Sequence, residues 1–207
     1  MFCLWRGHGP LCLYHSVMFL LRRPTAAQAQ AFLARQRGEA YTYTEVGLTR
    51  DDAPPPTGYA LDRHTARLGV GHDCFARARE AARHWRMFET PWIQLTNPQT
   101  PFEAGETLVV QVAHLGFYSL IADRVVYTLD EPGRFGFGYG TLTGHAEQGE
   151  ERFLVTLSAS EQVNFELYAF SRPRHPLARL GTPVVRSLQR AAARSYTAAM
   201  RRAVAPG

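Results

Sequence analysis

Apolar side chains alternate with glycine between residues 134 and 142. The rings in this run are Phe135, Phe137 and Tyr139, and the glycines are Gly136, Gly138 and Gly140. Because successive side chains of a strand point to opposite faces, one face of the predicted strand carries rings and the other only backbone. A bare strand face indicates that a helix or a ligand approaches the backbone closely. The pattern therefore predicts a sheet that curves around a packed element or a ligand.

Shorter alternating segments, separated by turn residues, predict strands over most of the chain from residue 92 to residue 170. Their bounds are 92–95, 107–115, 124–130, 134–142, 150–157 and 162–170. Two strands are predicted before them, a weak one at 41–48 and a clearer one at 62–70. Helical periodicity predicts a helix at 24–37, ended by Gly38, and another at 74–85 with Asp73 as its N-cap.

The chain finishes with a long predicted helix, which begins at the N-cap residue Thr182 and has Pro183 at its first helical position. Its apolar stripe is rich in small residues and consists of Val184, Leu188, Ala191, Ser195 and Ala199. Such a stripe is typical of a helix that lies close to a sheet. We expect this helix to pack on the glycine face of the 134–142 strand.

The composition is that of an ordinary globular protein, with 207 residues, 45% hydrophobic and 20% charged, enough for one domain. The net charge of +5 is carried entirely by arginine, since the sequence contains no lysine. We interpret this bias as genome composition, which permits weak attraction to acidic partners without indicating a nucleic acid. Cys74 is the one cysteine after residue 17, and no apolar run approaches the roughly 20 residues that cross a bilayer. We expect a cytoplasmic protein without a transmembrane segment.

Three regions are predicted along the chain. Residues 1–17 lack periodicity and precede a second methionine, so we expect a non-native or disordered extension and a translation start at Met18. Residues 18–58 hold the first helix, the weak strand and a proline-rich loop. Residues 59–207 form the main domain.

Several classes of functional site are excluded because the sequence lacks the motifs that are typical of them. The glycine run is followed by a turn instead of a helix, which excludes a phosphate-binding loop, and no hydrolase or metalloprotease signature occurs. The N-terminal cysteines and histidines lack zinc-site spacing, and Cys74 lies inside a predicted helix, as a buried thiol would. The rings could stack nucleic-acid bases, but their apolar neighbours favour burial. We predict no catalytic residue, metal, cofactor or nucleic-acid partner.

Six motifs occur in order along the chain. They occupy residues 43–49 (YTEVGLT), 75–78 (FARA), 85–88 (WRMF), 134–142 (RFGFGYGTL), 144–153 (GH and GEERF) and 170–179 (FSRP and HPLAR). With them the chain, from about residue 18 onward, resembles an uncharacterised bacterial and plant family, the domain of unknown function nineteen-ninety. Its element order is similar to that of the START-like, or helix-grip, superfamily of lipid carriers and polyketide cyclases. The resemblance implies an α+β fold in which a curved antiparallel sheet of six or seven strands surrounds a long C-terminal helix.

Six residues are candidates for lining a ligand pocket beneath the last helix, namely His114, Tyr127, Tyr139, His145, Glu151 and Tyr168. Glu151 shares a strand face with Phe153 and Val155, so we expect it to point inward and to need a partner, which an arginine could supply. We favour this structural role over catalysis. His145 lies beside carboxylates and could be a general base or part of a polar turn, and the tyrosines could equally fill the core.

These patterns together predict the binding of an apolar or amphipathic small molecule, lipid-like or polyketide-like, between the sheet and the last helix. Two alternatives stay open. One is an enzyme of the cyclase or hydratase type that uses the same pocket, with His145 or His114 as acid or base. The other is a non-catalytic interaction module that binds through the arginine face of the last helix. The ligand and the oligomeric state are not indicated by the sequence.

Overall fold

The computed structural model describes residues 18–174 and 182–205, which form eight strands and three α-helices. The strands are β1 (Met18–Leu20), β2 (Ala60–Val70), β3 (Ile93–Leu95), β4 (Thr107–His114), β5 (Phe117–Glu131), β6 (Arg134–Thr141), β7 (Glu147–Leu157) and β8 (Gln162–Pro173). The helices are α1 (Ala26–Gln36), α2 (His72–Arg83) and α3 (Thr182–Val204). The predicted N-terminal extension, residues 1–17, lies outside the described residues.

All strand pairs are antiparallel, and the order across the sheet is β2-β8-β7-β6-β5-β4-β3, with β1 paired to β5. Register shifts occur in β2 between Arg67 and Gly69 and in β5 between Val125 and Tyr127. Irregularities of this kind bend a strand and increase its twist. The sheet is a curved half-barrel with α3 on its concave side. The predicted helix-grip fold is confirmed.

Aromatic rings fill much of the concave side, where α2 and α3 pack on the sheet. Phe137 of β6 stacks on Phe153 of β7 with ring centroids 5.0 Å apart. Tyr196 of α3 lies edge-on to Phe153 at 5.4 Å, and Phe88 contacts the Tyr196 ring at 5.5 Å. The ring face of β6 is therefore the face that α3 covers.

The glycine face of β6 lies on the opposite, convex side, so the prediction that α3 packs on it is wrong. A side chain at Gly138 would meet the ring of Tyr127 at 2.5 Å, and one at Gly140 would meet Tyr43. Gly136 faces the backbone of β7. The glycines do allow another group to approach the β6 backbone closely, as predicted, but at Gly138 and Gly140 that group is a tyrosine side chain and not α3. The alternation of residues within one strand does not show which face of the sheet is concave. In the structure, the large rings lie on the concave side, where α3 covers them.

The convex side is covered by the segment of residues 41–53, which Glu150 of β7 holds in place. The Glu150 carboxylate accepts hydrogen bonds from the Tyr43 hydroxyl at 2.7 Å and from the amides of Gly47 at 2.7 Å and Thr49 at 2.9 Å. The Thr49 hydroxyl also donates to it. Three separate positions of the segment are thus fixed by one buried side chain.

The strand predicted at 41–48 is wrong. The structure has one isolated bridge there, between Tyr41 and Leu142, followed by turns and a short 3-10 helix, Leu48–Asp51. The backbone amides of Gly47 and Thr49 bind Glu150 instead of a neighbouring strand. A side-chain acceptor has therefore replaced the ladder that the alternation predicted.

Two predicted boundaries also differ. Helix α2 begins at His72 and is preceded by Gly71, so Asp73 lies inside the helix rather than at its N-cap. Strand β5 begins at residue 117 rather than 124, because Leu115 and Gly116 adopt φ values of 50° and 79°. Two such residues form a tight hairpin turn that leads β4 directly into β5.

The apolar stripe predicted for α3 only partly matches the buried face of the helix. Ala199 is buried as expected, but Val184 is 49% exposed, while Tyr196 and Met200 face the sheet. The sheet contact lies in the C-terminal half of α3, where larger side chains follow the small ones. None of the described helices is long and apolar enough to cross a membrane.

Candidate functional site

Five polar side chains meet on the concave side of the sheet, and we call them the concave polar cluster. They are Asp123 of β5, Tyr139 of β6, His145 of the β6–β7 turn, Glu151 of β7 and Tyr196 of α3. Tyr139 and Glu151 are direct cross-strand partners, and Asp123 pairs with Thr141, two residues further along β6. Alternation on three neighbouring strands therefore brings these groups to one part of the concave face.

Glu151 and Tyr139 form the best-defined contact of the cluster. The Tyr139 hydroxyl donates to Glu151 Oε2 at 2.7 Å. Burial, with a smaller contribution from the negative charge of Asp62, raises the pKa of Glu151 to about 7, although the bond from Tyr139 opposes the shift. Burial and the Glu151 charge raise the pKa values of Tyr139 and Tyr196. Both hydroxyls therefore keep their protons at neutral pH, and Glu151 exchanges its proton there.

Asp123 is the least compensated group of the cluster. Its residue is 0% exposed, and neither carboxyl oxygen has a hydrogen-bond partner among the described residues. Burial, and then the charge of Glu151, raise the pKa of Asp123 well above its ordinary value. Burying a carboxyl without a hydrogen-bond partner is energetically unfavourable, which sets Asp123 apart from the paired Glu151.

His145 faces Asp123 from the turn. The His145 Nδ1 atom accepts a hydrogen bond from the Glu147 amide at 3.0 Å, so the proton of the neutral ring is on Nε2. Nε2 lies 3.9 Å from Asp123 Oδ1, too far for a hydrogen bond. Burial lowers the pKa of His145 to about 4, and the ring stays neutral at physiological pH. Its side chain is 17% exposed, so the cluster reaches the surface at this point.

Half-buried apolar side chains continue the concave face beside the cluster. Ile121 lies two residues before Asp123 on the same face of β5, and Ala192 lies one turn before Tyr196 in α3. Trp92 donates from its indole nitrogen to Ser195 Oγ at 3.0 Å, which ties the β3 edge to α3. An apolar surface with a few convergent polar groups is the usual composition of a small-molecule site.

Two clefts of about 320 and 440 Å³ lie elsewhere in the described part of the chain. The first lies between the start of α1 and strands β3 and β4, and the second is beside Trp85 and Phe88. Both include Gln94, Leu95 and Pro98 in their walls, and neither is lined by a member of the concave polar cluster. The cluster is thus distinguished by its polar groups and their burial, not by an open cavity.

The family model for a domain of unknown function, DUF1990, matches residues 42–199. The chain belongs to the DUF1990 family. It is 43% identical over 197 residues to a UPF0548 protein of Deinococcus radiodurans, with 90% of this chain and 98% of that protein covered. A UPF0548 protein of Arabidopsis thaliana is 31% identical over 160 residues, covering 74% of this chain and 77% of the relative.

Among solved structures, a hypothetical protein from Helicobacter pylori is similar to the DUF1990 chain with a TM-score of 0.50 and 9% sequence identity. The similarity covers 80% of this chain and 96% of that protein. At this identity the likeness concerns the fold alone. The chemistry of the DUF1990 chain therefore has to be argued from its own residues.

Three of the six predicted pocket residues, Tyr139, His145 and Glu151, lie together in the cluster. Tyr127 and Tyr168 lie on the convex side, so their predicted position in the pocket is wrong. The Tyr127 hydroxyl is 2.7 Å from Thr49 Oγ1, and that of Tyr168 donates to the Ala53 carbonyl oxygen at 2.6 Å. The register shift in β5 turns Tyr127 to the convex face.

His114 lies on the concave face but is six residues along the ladder from the cluster, since it pairs with Phe117 while Asp123 pairs with Leu108. Its Nε2 atom is 2.8 Å from Ser119 Oγ, and its Nδ1 atom has no partner among the described residues. Burial lowers the pKa of His114. The structure does not bring His114 to the cluster.

Glu151 points inward as predicted, but its hydrogen-bond partner is Tyr139 rather than an arginine. The neighbouring Arg152 points to the convex side, where it donates to the Thr49 carbonyl oxygen at 2.9 Å and to Asp52 at 2.8 Å. Adjacent strand residues face opposite sides, so an arginine next to Glu151 in sequence could not pair with it. The Glu151 carboxylate therefore accepts its hydrogen bond from a hydroxyl group, that of Tyr139.

The six candidate residues predicted from the sequence include neither Asp123 nor Tyr196. Asp123 carried a weak signal, since it interrupts the apolar face of β5 that contains Ile121 and Val125. Tyr196 follows the small-residue stripe by one position, and a single aromatic residue there was indistinguishable from core. Among the described residues, no three His, Cys, Asp or Glu side chains are arranged to hold a metal ion.

Proposed function

We propose that this protein binds an amphipathic small molecule on the concave side of the sheet, beneath α3. The concave polar cluster holds the polar end of the molecule, and the apolar side chains beside the cluster hold its body. One observation carries the proposal, namely the fully buried Asp123 carboxyl with no hydrogen-bond partner in the described chain. The helix-grip fold supplies the surrounding wall.

The arrangement of Asp123 and His145 supports this role. The two groups face each other across 3.9 Å, which leaves the Nε2 proton of His145 without a direct acceptor on Asp123. A ligand hydroxyl or amine beside the pair would satisfy both groups at once. A purely structural carboxyl would be expected to have a partner within the protein, as Glu150 has on the convex side.

The test is extraction of the full-length protein, purified under native conditions, followed by mass spectrometry of the organic extract. We expect a reproducible small molecule in the native protein and its loss in Asp123→Asn. The matched control is Glu166→Gln, which changes an acid on the convex face, where Glu166 accepts from the Thr156 hydroxyl. A molecule retained equally by both variants, or an extract without any molecule, contradicts the proposal.

A second candidate function is acid–base catalysis on the bound molecule, and the pKa of Glu151, about 7, favours it. A carboxyl with such a pKa can both accept and donate a proton at neutral pH. The test is incubation of the native protein with its extracted ligand, followed by mass analysis of the products at pH 6 to 8. Turnover that disappears in Glu151→Gln supports catalysis, and an unchanged ligand supports binding alone.

The proposed location of the protein is the cytoplasm. This is supported by Cys74, whose free thiol lies on the buried face of α2. A buried thiol without a disulfide partner suits a reducing compartment. Cell fractionation of the tagged protein tests this setting, and recovery in a secreted or membrane fraction would contradict it.

A further inference from the structure

We propose that the polar end of the ligand is an organic ammonium group, so that the protein selects amines with an apolar body. The inference rests on the binding role proposed above and adds the chemical class of the ligand. It is carried by two inward carboxyl groups, Asp123 and Glu151, of which Asp123 has no hydrogen-bond partner and Glu151 is bonded to Tyr139 but to no arginine, among the residues the structure describes.

Arginine is the only side chain besides histidine in this sequence that can carry a positive charge. Two described arginines near the cluster, Arg186 and Arg174, have other partners. Arg186 of α3 forms a two-point ion pair with Asp62 of β2. Arg174 donates to the carbonyl oxygens of Thr143 at 2.7 Å and His145 at 3.3 Å. Although the protein has a net charge of +5, neither Asp123 nor Glu151 forms an ion pair with an arginine among the described residues.

The groups that face the cluster from each packed element favour a positive ligand. They are Asp123 of β5, Tyr139 of β6, neutral His145 of the turn, Glu151 of β7, the Asp62–Arg186 pair of β2 and α3, Tyr196 of α3 and, behind His145, Arg174. An anionic ligand would meet two carboxyl groups in a desolvated site, which is unfavourable. An ammonium group supplies up to three donors and the missing charge.

The aromatic surroundings add to this preference. The rings of Tyr139 and Tyr196 both approach Phe153, at 5.4 Å in each case. Aromatic faces attract organic cations through the negative potential above the ring. Carboxyl groups next to several rings therefore form a site whose charge and polarity match an ammonium group on an apolar carbon skeleton.

Proton release gives the inference a second, independent signature. Without a bound cation, burial raises the pKa of Asp123 well above its ordinary value and that of Glu151 to about 7. A bound cation favours the ionised carboxylates and lowers both pKa values, so protons are released to the buffer. A neutral ligand has no comparable charge effect on these carboxyl groups.

The experiment is calorimetric titration of the full-length protein at pH 7 with three probes that share a phenyl body: 2-phenylethylamine, 2-phenylethanol and 3-phenylpropanoate. We expect the amine to bind about tenfold more tightly than the alcohol, as a charge-assisted bond is stronger than a neutral one, and the carboxylate to bind most weakly. Repeating the titration in buffers of different ionisation enthalpy should show proton release for the amine.

Two variants separate the outcomes. In Asp123→Asn the preference for amine over alcohol should fall to about twofold or less, whereas Glu166→Gln should keep the full preference. Alcohol binding as tight as amine binding, or no proton release, overturns the ammonium assignment and leaves the binding role intact. If none of the three probes binds and the native extract is empty, both the assignment and the binding role are overturned.

Discussion

The Tyr139 hydroxyl donates a 2.7 Å hydrogen bond to Glu151 across the β6–β7 pair, and the two residues are direct register partners. This bond is the one contact in the described chain that lowers the pKa of Glu151, against burial and the charge of Asp62, which raise it. The proton affinity of the site therefore depends on one tyrosine hydroxyl.

Replacing Tyr139 with phenylalanine should raise the pKa of Glu151 above about 7, since the ionised form loses its donor while burial persists. Carbon-detected NMR of the labelled carboxyl groups measures the shift directly. Tyr168→Phe is the control, because it removes a tyrosine hydroxyl on the convex side of the sheet, where that hydroxyl donates to the Ala53 carbonyl oxygen. An unchanged or lower Glu151 pKa in Tyr139→Phe would contradict the proposed control of this proton.

The stability of the folded protein should decrease between about pH 4.5 and pH 7 through Glu151. Its pKa rises from 4.5 to about 7 on folding, so the native state binds more protons than the unfolded state in this window, and unfolding becomes easier as pH rises. Glu151→Gln removes this loss, which amounts to at most about 3 kcal/mol. Urea unfolding at pH 5 and pH 8 measures this loss. The free energy of unfolding of the variant should exceed that of the native protein only at pH 8.

The contribution of His145 to the pH dependence of stability is opposite to that of Glu151, and the two contributions have to be measured separately. Its pKa falls from 6.5 to about 4 on folding, so its contribution to stability is present above pH 6.5 and is lost as pH falls towards 4. The pH profile of the native protein alone therefore contains two opposing slopes. The difference between Glu151→Gln and the native protein isolates one of them, and a difference that does not change with pH would refute the assignment.

The convex side gives a prediction about packing. A Cβ atom at Gly138 would lie 2.5 Å from the ring of Tyr127, so Gly138→Ala should destabilise the protein by about 1–3 kcal/mol. Gly38→Ala is the matched control, because a Cβ atom there meets nothing within 4 Å. Thermal unfolding measures both variants. Combining Gly138→Ala with Tyr127→Leu should restore part of the loss, and additive effects of the two changes would argue against the contact.

The sequence pattern predicted the order and type of most elements because the alternation and the turn residues between strands are local. The sides of the sheet were not predictable in the same way. Phe137 and Gly138 are adjacent, and only the tertiary curvature decides that the ring faces α3 while the glycine faces Tyr127. The register shift between Val125 and Tyr127 has no signature in the sequence, yet it sends Tyr127 away from the site.

The candidate site was predictable to the extent that a polar residue interrupts an apolar face. Glu151 on the β7 face satisfied that rule, and its inward orientation is confirmed. Its partner could not be predicted, because the pattern within one strand does not show which residue of the neighbouring strand lies opposite Glu151. Asp123 obeys the same rule, and its importance comes from having no hydrogen-bond partner in the described part of the chain, which only the tertiary structure reveals.

Glu150 should be essential for attachment of the 41–53 segment to the sheet. Its carboxylate accepts bonds from Tyr43 and from the amides of Gly47 and Thr49, and Glu150→Ala leaves these buried donors unpaired. We expect a loss of about 3 kcal/mol or more in unfolding free energy. Hydrogen exchange should rise in residues 41–53 before the rest of the protein, since the segment can open without the sheet.

The matched control for this change is Glu45→Ala within the same segment. Glu45 accepts from the Thr44 amide and the Tyr59 hydroxyl, both at 3.1 Å, and it lies nearer the surface. Its replacement should cost about 1 kcal/mol or less and leave the exchange of the Gly47 and Thr49 amides slow. Equal exchange in the two variants would mean that apolar packing of Tyr43, and not the Glu150 carboxylate, holds the segment on the sheet.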